Sequence, residues 1–233
     1  MKSKSLKICI TGASRGIGLA EAKKLQRQNE LFLIASEIDS FAGKNLGDCR
    51  LFGCDVSDIN SLNSLVEDLR AKTKVLDVLV NNVGVMMMKR FGEMTDEDIF
   101  RLIDINLKAN VLLTKKLLPF LLKSPDPRIV FMSSMAAKSS IIGESVYAAA
   151  KAGLTNFANV LRNEMAGKIR VSTIHSWGVD TWNAPKKINL LQPENIAEAL
   201  EFIITREKPF LVESVELGHE KQWRGGQAPW SPG

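Results

Sequence analysis

A glycine-rich turn between a short apolar strand and a helix is the feature that most constrains how this chain folds. Residues 6–10 (LKICI) predict a buried strand, and the turn Thr11–Gly18 (TGASRGIG) follows at once. Apolar residues then recur at helical spacing through Leu19, Ala22 and Leu25. In such a turn, glycines allow a close approach, and backbone N–H groups at the start of the helix can meet a pyrophosphate. The turn therefore predicts a nucleotide site.

Strand-like and helix-like stretches alternate along the rest of the chain, without an internal repeat or a linker. The predicted strands are 6–10, 31–35, 51–56, 75–80, 128–132, 170–175 and 211–217. The predicted helices begin near residues 19 and 59 or span 95–122 (a helix pair), 146–165 and 192–204. This alternation predicts an α/β fold, a doubly wound parallel sheet with helices on both faces. We expect one domain over residues 1–233, with an irregular tail from about 218 to 233.

Composition narrows the class of protein. The chain has 233 residues, of which 45% are apolar and 24% charged, as in ordinary globular proteins. The net charge of +5 is scattered, which argues against nucleic-acid binding. No apolar run reaches membrane-spanning length, and the N-terminus lacks the apolar core of a signal peptide. Cys9, Cys49 and Cys54 lack metal-type spacing, so we expect reduced thiols, a cytoplasmic protein and no metal site.

Tyr147 is the only tyrosine in the chain, and Lys151 follows four residues later. On a helix, residues at this spacing share one face. An ammonium beside a phenol favours the phenolate and lowers the phenol's pKa from about 10 toward neutrality. The pair therefore predicts a general acid or base. The alternative is a half-buried tyrosine beside a solvated lysine.

Polar residues follow several of the predicted strands, at the sheet edge where ligands of such folds bind. Ser36 and Glu37 follow the second strand. Asp55 ends the third, where it either meets an adenine amino group or caps the helix from about Ile59, a role for which Asp58 competes.

The middle of the chain adds three further signals. Residues 81–84 (NNVG) form a polar turn after the fourth strand, either beside a ligand or as an ordinary turn. Residues 86–88 (MMM) are core filler or an adaptable apolar wall. Asn106 lies within a helical pattern that disfavours asparagine, so it either faces solvent or makes a buried polar contact.

Together these motifs resemble those of the short-chain dehydrogenases and reductases. Residues 11–18 match the family's TGxxxGxG turn, residues 81–84 match NNAG with one change, and residues 147–151 match YxxxK. Ser134 stands at the family's serine spacing, and Asn106 matches the asparagine that completes the tetrad. The resemblance covers most of the chain and implies a Rossmann-like fold.

The resemblance implies an oxidoreductase that transfers a hydride between NADP(H) or NAD(H) and a carbonyl or alcohol substrate. Tyr147 would protonate the carbonyl oxygen or take the hydroxyl proton, and Ser134 would hydrogen-bond that oxygen. Lys151 would lower the phenol's pKa and hold the nicotinamide ribose. Asn106 would hold a water on a proton relay to Lys151.

Cofactor contacts also follow from the resemblance. The residues implied are Gly12, Ser14, Arg15, Ile17, Ser36, Asp55, Val56, Asn82, Gly84, Tyr147, Lys151, Val179 and Thr181. Ser36 stands where an aspartate would favour NAD, and Arg15 could pair with a 2′-phosphate, whereas Glu37 argues the other way. We therefore expect NADP, with NAD as the alternative.

Two departures from the family pattern bear on the substrate side. Ser176 and Trp177 stand where the family has Pro-Gly, so the indole packs outward, narrows the substrate pocket or weakens cofactor binding. The stretch from Thr181 to Pro193 is short and predicts an open or minimally lidded site. The predicted pocket walls are Met86, Met87, Met88, Trp177 and Trp182. Because of Trp177, the alternative function is a catalytically impaired NAD(P)-binding sensor or assembly protein.

Three smaller expectations complete this picture. His175 is interpreted as a structural histidine and His219 as a surface residue. Residues 97–122 and 146–165 carry apolar side chains beyond a single stripe, which predicts a homodimer or homotetramer.

Overall fold

A computed structural model describes residues 5–181 and 189–221. Within these ranges it contains one seven-stranded sheet in which all strands are parallel, in the order β3-β2-β1-β4-β5-β6-β7. The strands are β1 (Lys7–Thr11), β2 (Glu30–Ala35), β3 (Arg50–Gly53), β4 (Val78–Asn81), β5 (Arg128–Met132), β6 (Arg170–Ser176) and β7 (Ser214–Leu217). The α-helices are α1 (Gly16–Leu25), α2 (Ile59–Lys72), α3 (Asp96–Ile103), α4 (Ala109–Leu121), α5 (Ser145–Glu164) and α6 (Pro193–Thr205). None of the described helices is long and apolar enough to cross a membrane.

Helices cover both faces of the sheet, because the strands are apolar on both sides. One core cluster joins the sheet to α2, α4 and α5 through residues such as Leu62, Leu113 and Leu154. The other joins it to α1 and α6 through residues such as Leu25 and Leu200. The predicted doubly wound, Rossmann-like sheet is thus confirmed. The winding reverses between β1 and β4, and ligands of such folds bind at the carboxyl ends of the strands beside this point.

Helical structure between residues 95 and 122 differs from the predicted helix pair. No loop separates α3 from α4, because a π-helical turn (Asp104–Lys108) joins them. The start at Asp96 is a capping box in which the Thr95 hydroxyl accepts from Asp98 N–H, and the Asp98 carboxylate accepts from Thr95 N–H. A π-helical turn is often associated with a functional site.

Strands β3 and β4 are shorter than predicted, since the chain leaves the ladder to make other contacts. After Gly53 the chain turns toward the cap of α2. Before Val78, Leu76 N–H donates to the carbonyl of Phe120 (3.2 Å), and Lys7 N–H donates to the Asp77 carboxylate (2.9 Å).

Candidate active site

The glycine-rich turn is tied to the end of β4 by hydrogen bonds. The hydroxyl of Thr11 accepts from the N–H groups of Asn82 and Val83, both at 3.0 Å, and the Asn82 amide donates to the carbonyl of Thr11 (2.8 Å). Gly12 has φ +64°, and a methyl group on Gly18 would overlap the Gly12 carbonyl. Only glycines fit this cradle, which leaves backbone N–H groups at the start of α1 open to a ligand.

The segment after β6 packs onto the same turn. A Cβ on Gly16, which has φ +52°, would lie 3.0 Å from the Thr181 methyl group. Val179 bridges to Leu191, whose carbonyl accepts from Asp180 N–H (2.8 Å). These contacts place Val179 and Thr181 beside the predicted phosphate turn.

At the far end of the cleft, Ser36 and Glu37 are exposed beyond β2. Arg15 is exposed at the N-cap of α1, and its side chain makes no capping hydrogen bond. The structure therefore leaves Arg15 and Ser36 accessible at the end of the site that was expected to hold the adenosine. Ser14 and Ile17 are partly exposed on the same turn.

The structure excludes one of the two predicted roles of Asp55, the capping of α2. Asp58 caps α2, because its carboxylate accepts from the N–H groups of Asn60 (3.2 Å) and Ser61 (2.9 Å). Asp55 instead accepts from the N–H and hydroxyl of Ser57, which lowers the pKa of Asp55. Its carboxylate is thus ionised and exposed beyond β3, next to the buried Val56.

Three predicted catalytic side chains meet at the ends of β5 and α5. Tyr147 and Lys151 lie on one face of α5, with the Lys151 Nζ 5.9 Å from the centroid of the phenol ring. The Ser134 hydroxyl accepts from Ala136 N–H (3.1 Å) and lies near enough to the Tyr147 phenol to lower the pKa of that phenol. Lys151 is only 4% exposed, and its Nζ donates to the carbonyl of Met132 (2.8 Å).

Asn106 lies in the π-helical turn and is fully buried. Its side-chain amide makes two hydrogen bonds to the backbone of Val85. It donates to the Val85 carbonyl (2.8 Å) and accepts from the Val85 N–H (3.1 Å). A Cβ on Gly84 would lie 2.9 Å from Asn106 Oδ1 and 3.2 Å from Lys151 Nζ. Asn106 therefore makes the buried polar contact that was one of its two predicted readings, and Gly84 separates it from Lys151.

The electrostatics differ from the expectation for the phenol. Burial raises the pKa of Tyr147 to about 12, the Ser134 hydrogen bond offsets part of this, and the Glu144 carboxylate adds to it. Burial also lowers the pKa of Lys151 to about 8. The expected lowering of the phenol pKa by Lys151 is thus not observed, because burial is the largest effect on that pKa and the Lys151 ammonium donates to the Met132 carbonyl. At neutral pH the phenol is protonated, which suits a proton donor.

Since Tyr147 is the only tyrosine, its ionisation can be followed directly by the ultraviolet absorbance of the phenolate. We expect the folded chain to show little phenolate at about pH 10, where the chain in denaturant is half ionised. A midpoint near neutrality in the folded chain would mean that Lys151 dominates the phenol's environment.

The predicted substrate walls are only partly covered by the structure. Met86 is 52% exposed, whereas Met88 packs near Gly143, whose carbonyl accepts from Lys89 N–H (2.9 Å). Trp177 is partly exposed. Its backbone N–H donates to the carbonyl of Leu217 (2.8 Å), so this part of the chain is bound to the end of β7. Met87 is partly exposed. Trp182 lies outside the described residues, as does most of the short stretch expected to leave the site open.

Both histidines have protein contacts. His175 is 1% exposed, and its Nδ1 lies 3.3 Å from the carbonyl of Ser134, as suits a structural histidine. His219 is only partly exposed, and its Nδ1 accepts from Lys221 N–H (3.1 Å). The surface position expected for His219 is therefore only partly correct.

One residue near the site was missed from sequence alone. Glu144 is 4% exposed and lies three residues before Tyr147. No sequence signal distinguishes it, because a glutamate just before a helix normally predicts a solvated side chain.

Comparisons with known proteins agree with this geometry. A sequence model of the family described as short chain dehydrogenase matches residues 6–189. The ketoacyl reductase HetN of Nostoc sp. is 29% identical over 209 residues, covering 83% of this chain and 73% of HetN. The NADP-dependent 3-hydroxy acid dehydrogenase of Schizosaccharomyces pombe is 28% identical over 233 residues, covering 88% of this chain and 89% of that protein. A metagenomic short-chain oxidoreductase solved with NADP superposes with a TM-score of 0.82 at 26% identity, covering 93% of this chain and 98% of the other.

The family match spans more than half of the chain and includes the glycine-rich turn, the serine and the Tyr-Lys pair that converge here. This chain belongs to the short-chain dehydrogenase family.

Proposed function

We propose that the protein is an NADP(H)-dependent oxidoreductase that reduces a carbonyl or oxidises the corresponding alcohol. The observation that carries the proposal is the meeting of the Tyr147 phenol with the Ser134 hydroxyl, beside the buried Lys151 ammonium. Relatives support it, since they are named as reductases and dehydrogenases.

The residues present fit a dinucleotide. A Cβ at Gly18 would fill the space beside Gly12. Because Gly84 has no side chain, the space between Asn106 and Lys151 also stays open. The residues that would hold the cofactor are Gly12, Ser14, Arg15, Ile17, Ser36, Asp55, Val56, Asn82, Gly84, Tyr147, Lys151, Val179 and Thr181. When bound, the nicotinamide supplies or accepts the hydride.

The protein's own residues manage the proton and the oxygen. Ser134 accepts from Ala136 N–H, so its own O–H is left to donate toward Tyr147 or a substrate oxygen. Tyr147 donates its proton to that oxygen during reduction, which the raised phenol pKa permits at neutral pH. The Lys151 ammonium has three N–H groups, of which one donates to the Met132 carbonyl, so the others can donate to a ribose hydroxyl or to a water. Asn106 would orient that water.

The test is to mix the protein with NADPH and a panel of ketones, aldehydes and 3-oxoacyl compounds, and to follow nicotinamide absorbance. Turnover of a member of the panel supports the proposal. Cofactor binding without turnover in either direction supports instead the second candidate, a non-catalytic NAD(P)-binding sensor or assembly protein. The feature that favours this candidate is Trp177, a partly exposed indole just past β6.

We propose NADP over NAD because NADP is named for the fission-yeast relative and is bound in the metagenomic structure. Arg15 is exposed and makes no capping bond, which supports the pairing of its guanidinium with a 2′-phosphate. Arg15→Ala is expected to weaken NADPH binding about 10–100-fold and NADH binding far less, measured by titration of each. Lys23→Ala, on the same helix, is the control. Equal losses for both cofactors would exclude this role for Arg15.

We also propose a homodimer or homotetramer that buries the helical segments 97–122 and 146–165, which contain most of α3, α4 and α5. Val160 on α5 is 48% exposed and Phe100 on α3 is 67% exposed, so apolar surface is left on these helices in the single chain. A monomer by light scattering at micromolar concentration would count against this assembly. A single domain over residues 1–233 and a cytoplasmic location stay predictions.

A further inference from the structure

Glu144 is held rigidly at the start of the helix that carries Tyr147. Its N–H donates to the carbonyl of Ile141 (3.2 Å), and its carbonyl accepts from Ala148 N–H (2.7 Å). The residue is 4% exposed, although a carboxylate is a side chain that proteins rarely bury without a partner.

The Glu144 carboxyl has no hydrogen bond or ion pair within residues 5–181 and 189–221. The lysines of the two neighbouring segments are already paired, Lys89 with Asp98 at 2.7 Å and Lys138 with Glu216 at 2.6 Å. Burial alone raises the pKa of Glu144 to about 6, so the carboxyl is mostly ionised at neutral pH. A largely buried charge with no protein partner is unfavourable unless water or a ligand supplies a hydrogen bond.

Glu144 is the N-cap of α5 and precedes Tyr147 by three residues, a spacing at which two side chains lie on the same side of a helix. Its carboxylate also raises the pKa of Tyr147. The neighbouring Gly143 is hydrogen-bonded to Lys89, and a Cβ on Gly143 would lie 3.1 Å from Met88 Cγ. Glu144 therefore lies where the segment before α5 meets the methionine segment, one of the predicted substrate walls.

We infer that Glu144 determines substrate specificity, by selecting carbonyl and alcohol substrates that carry a hydrogen-bond donor, a hydroxyl or an ammonium group, next to the reacting carbon. The inference rests on the proposed function. A donor from the substrate satisfies the buried carboxylate, whereas a carboxylate on the substrate is repelled. This preference would distinguish the protein from its fission-yeast relative, which is named for 3-hydroxy acids.

A series of secondary alcohols that differ in one group tests the inference. The reacting CH(OH)–CH3 unit is kept, and the group on the next carbon is methyl (butan-2-ol), hydroxyl (propane-1,2-diol), ammonium (1-amino-propan-2-ol) or carboxylate (3-hydroxybutanoate). In each reaction NADP+ would accept the hydride, and the hydroxyl proton would pass to the ionised form of Tyr147, whose population rises with pH. We expect kcat/KM for the two donor compounds to exceed that for butan-2-ol, and 3-hydroxybutanoate to be the poorest substrate.

Glu144→Gln keeps the shape of the side chain and removes its charge. We expect the preference for the ammonium compound over butan-2-ol to fall about tenfold or more. The preference in the wild type should also fall below about pH 6, as Glu144 is protonated. Glu164→Gln, at the exposed far end of the same helix, is the matched control and should change neither ratio. Unchanged ratios in Glu144→Gln would overturn the inference.

A second readout does not depend on turnover. Because the Glu144 carboxylate raises the phenol's pKa, Tyr147 should ionise at lower pH in Glu144→Gln than in the wild type. If the wild type oxidises none of the alcohols and reduces no carbonyl, the proposed function fails. In that case the binding of each compound is ranked by the shift that it causes in the melting temperature of the cofactor-loaded protein. Equal shifts for the donor compounds and butan-2-ol would overturn the inferred specificity as well.

Discussion

Tyr147→Phe is expected to lower kcat for carbonyl reduction by about 10²–10⁴-fold, the usual worth of a positioned general acid. The phenol lies beside the Ser134 hydroxyl and carries a proton at neutral pH, because burial raises its pKa to about 12. Phenylalanine keeps the ring beside Lys151 and removes only the O–H. NADPH affinity should therefore change little, whereas the chemical step should be lost, which steady-state kinetics and a separate binding titration measure.

Ser145→Ala is a suitable control for this experiment. It removes a hydroxyl from an exposed position on the same helix, two residues before Tyr147, and should leave kcat unchanged. If Tyr147→Phe kept a large part of the activity, another group or water would have to supply the proton. A variant that lost NADPH binding as well would show a role in positioning the cofactor.

Replacing Glu21 by leucine is expected to stabilise the fold by about 3 kcal/mol at pH 7. Glu21 lies in α1 and is fully buried, and neither carboxyl oxygen has a hydrogen-bond partner among the residues that the structure describes. Burial raises its pKa from 4.5 to about 8. Leucine would add a favourable apolar contact to the core shared by α1 and α6.

The sign of the pH dependence follows from the raised pKa. The folded state binds this proton more tightly than the unfolded state, so Glu21 does not reduce stability below about pH 4.5. The loss of folding stability that Glu21 causes then grows as the pH rises, and it levels off above about pH 8. Urea unfolding across this range should show that the free energy of unfolding falls less with rising pH in Glu21→Leu than in the wild type. Glu198→Gln, at an exposed position on α6, should not change this pH dependence. A destabilised Glu21→Leu protein would mean that the carboxyl is paired in solution.

Much of the architecture could be predicted because its signals are local. The apolar runs of β1, β2 and β5 are bounded by turn residues, and the Gly12–Gly18 spacing specifies a strand, a tight turn and a helix. The alternation of strands and helices then leaves few topologies, since parallel crossovers are right-handed. The same logic predicts that polar residues at the strand ends converge, which is where Ser134 and Asn82 lie.

Features that depend on three-dimensional burial could not be predicted. The spacing of Tyr147 and Lys151 suggests that the ammonium controls the phenol, but the pKa depends on how much solvent the fold removes. Glu21 and Glu144 are charged side chains, which predict exposure, and only the packing around α1 and α5 shows that they are buried. The joining of α3 to α4 by a π-helical turn also follows from the contact between Asn106 and Val85 and not from helical periodicity.

The position of the Asn106 amide depends on the number of residues in the π-helical turn. Each residue advances an α-helix by about 100° and 1.5 Å. Deleting one residue between Asp104 and Lys108 would therefore rotate α3 by about a quarter turn relative to α4 and carry the Asn106 amide off the backbone of Val85. A single-position gap at this point, in an alignment with any homologue, should be read as a change in the contact between Asn106 and Val85 and not as a harmless difference in length.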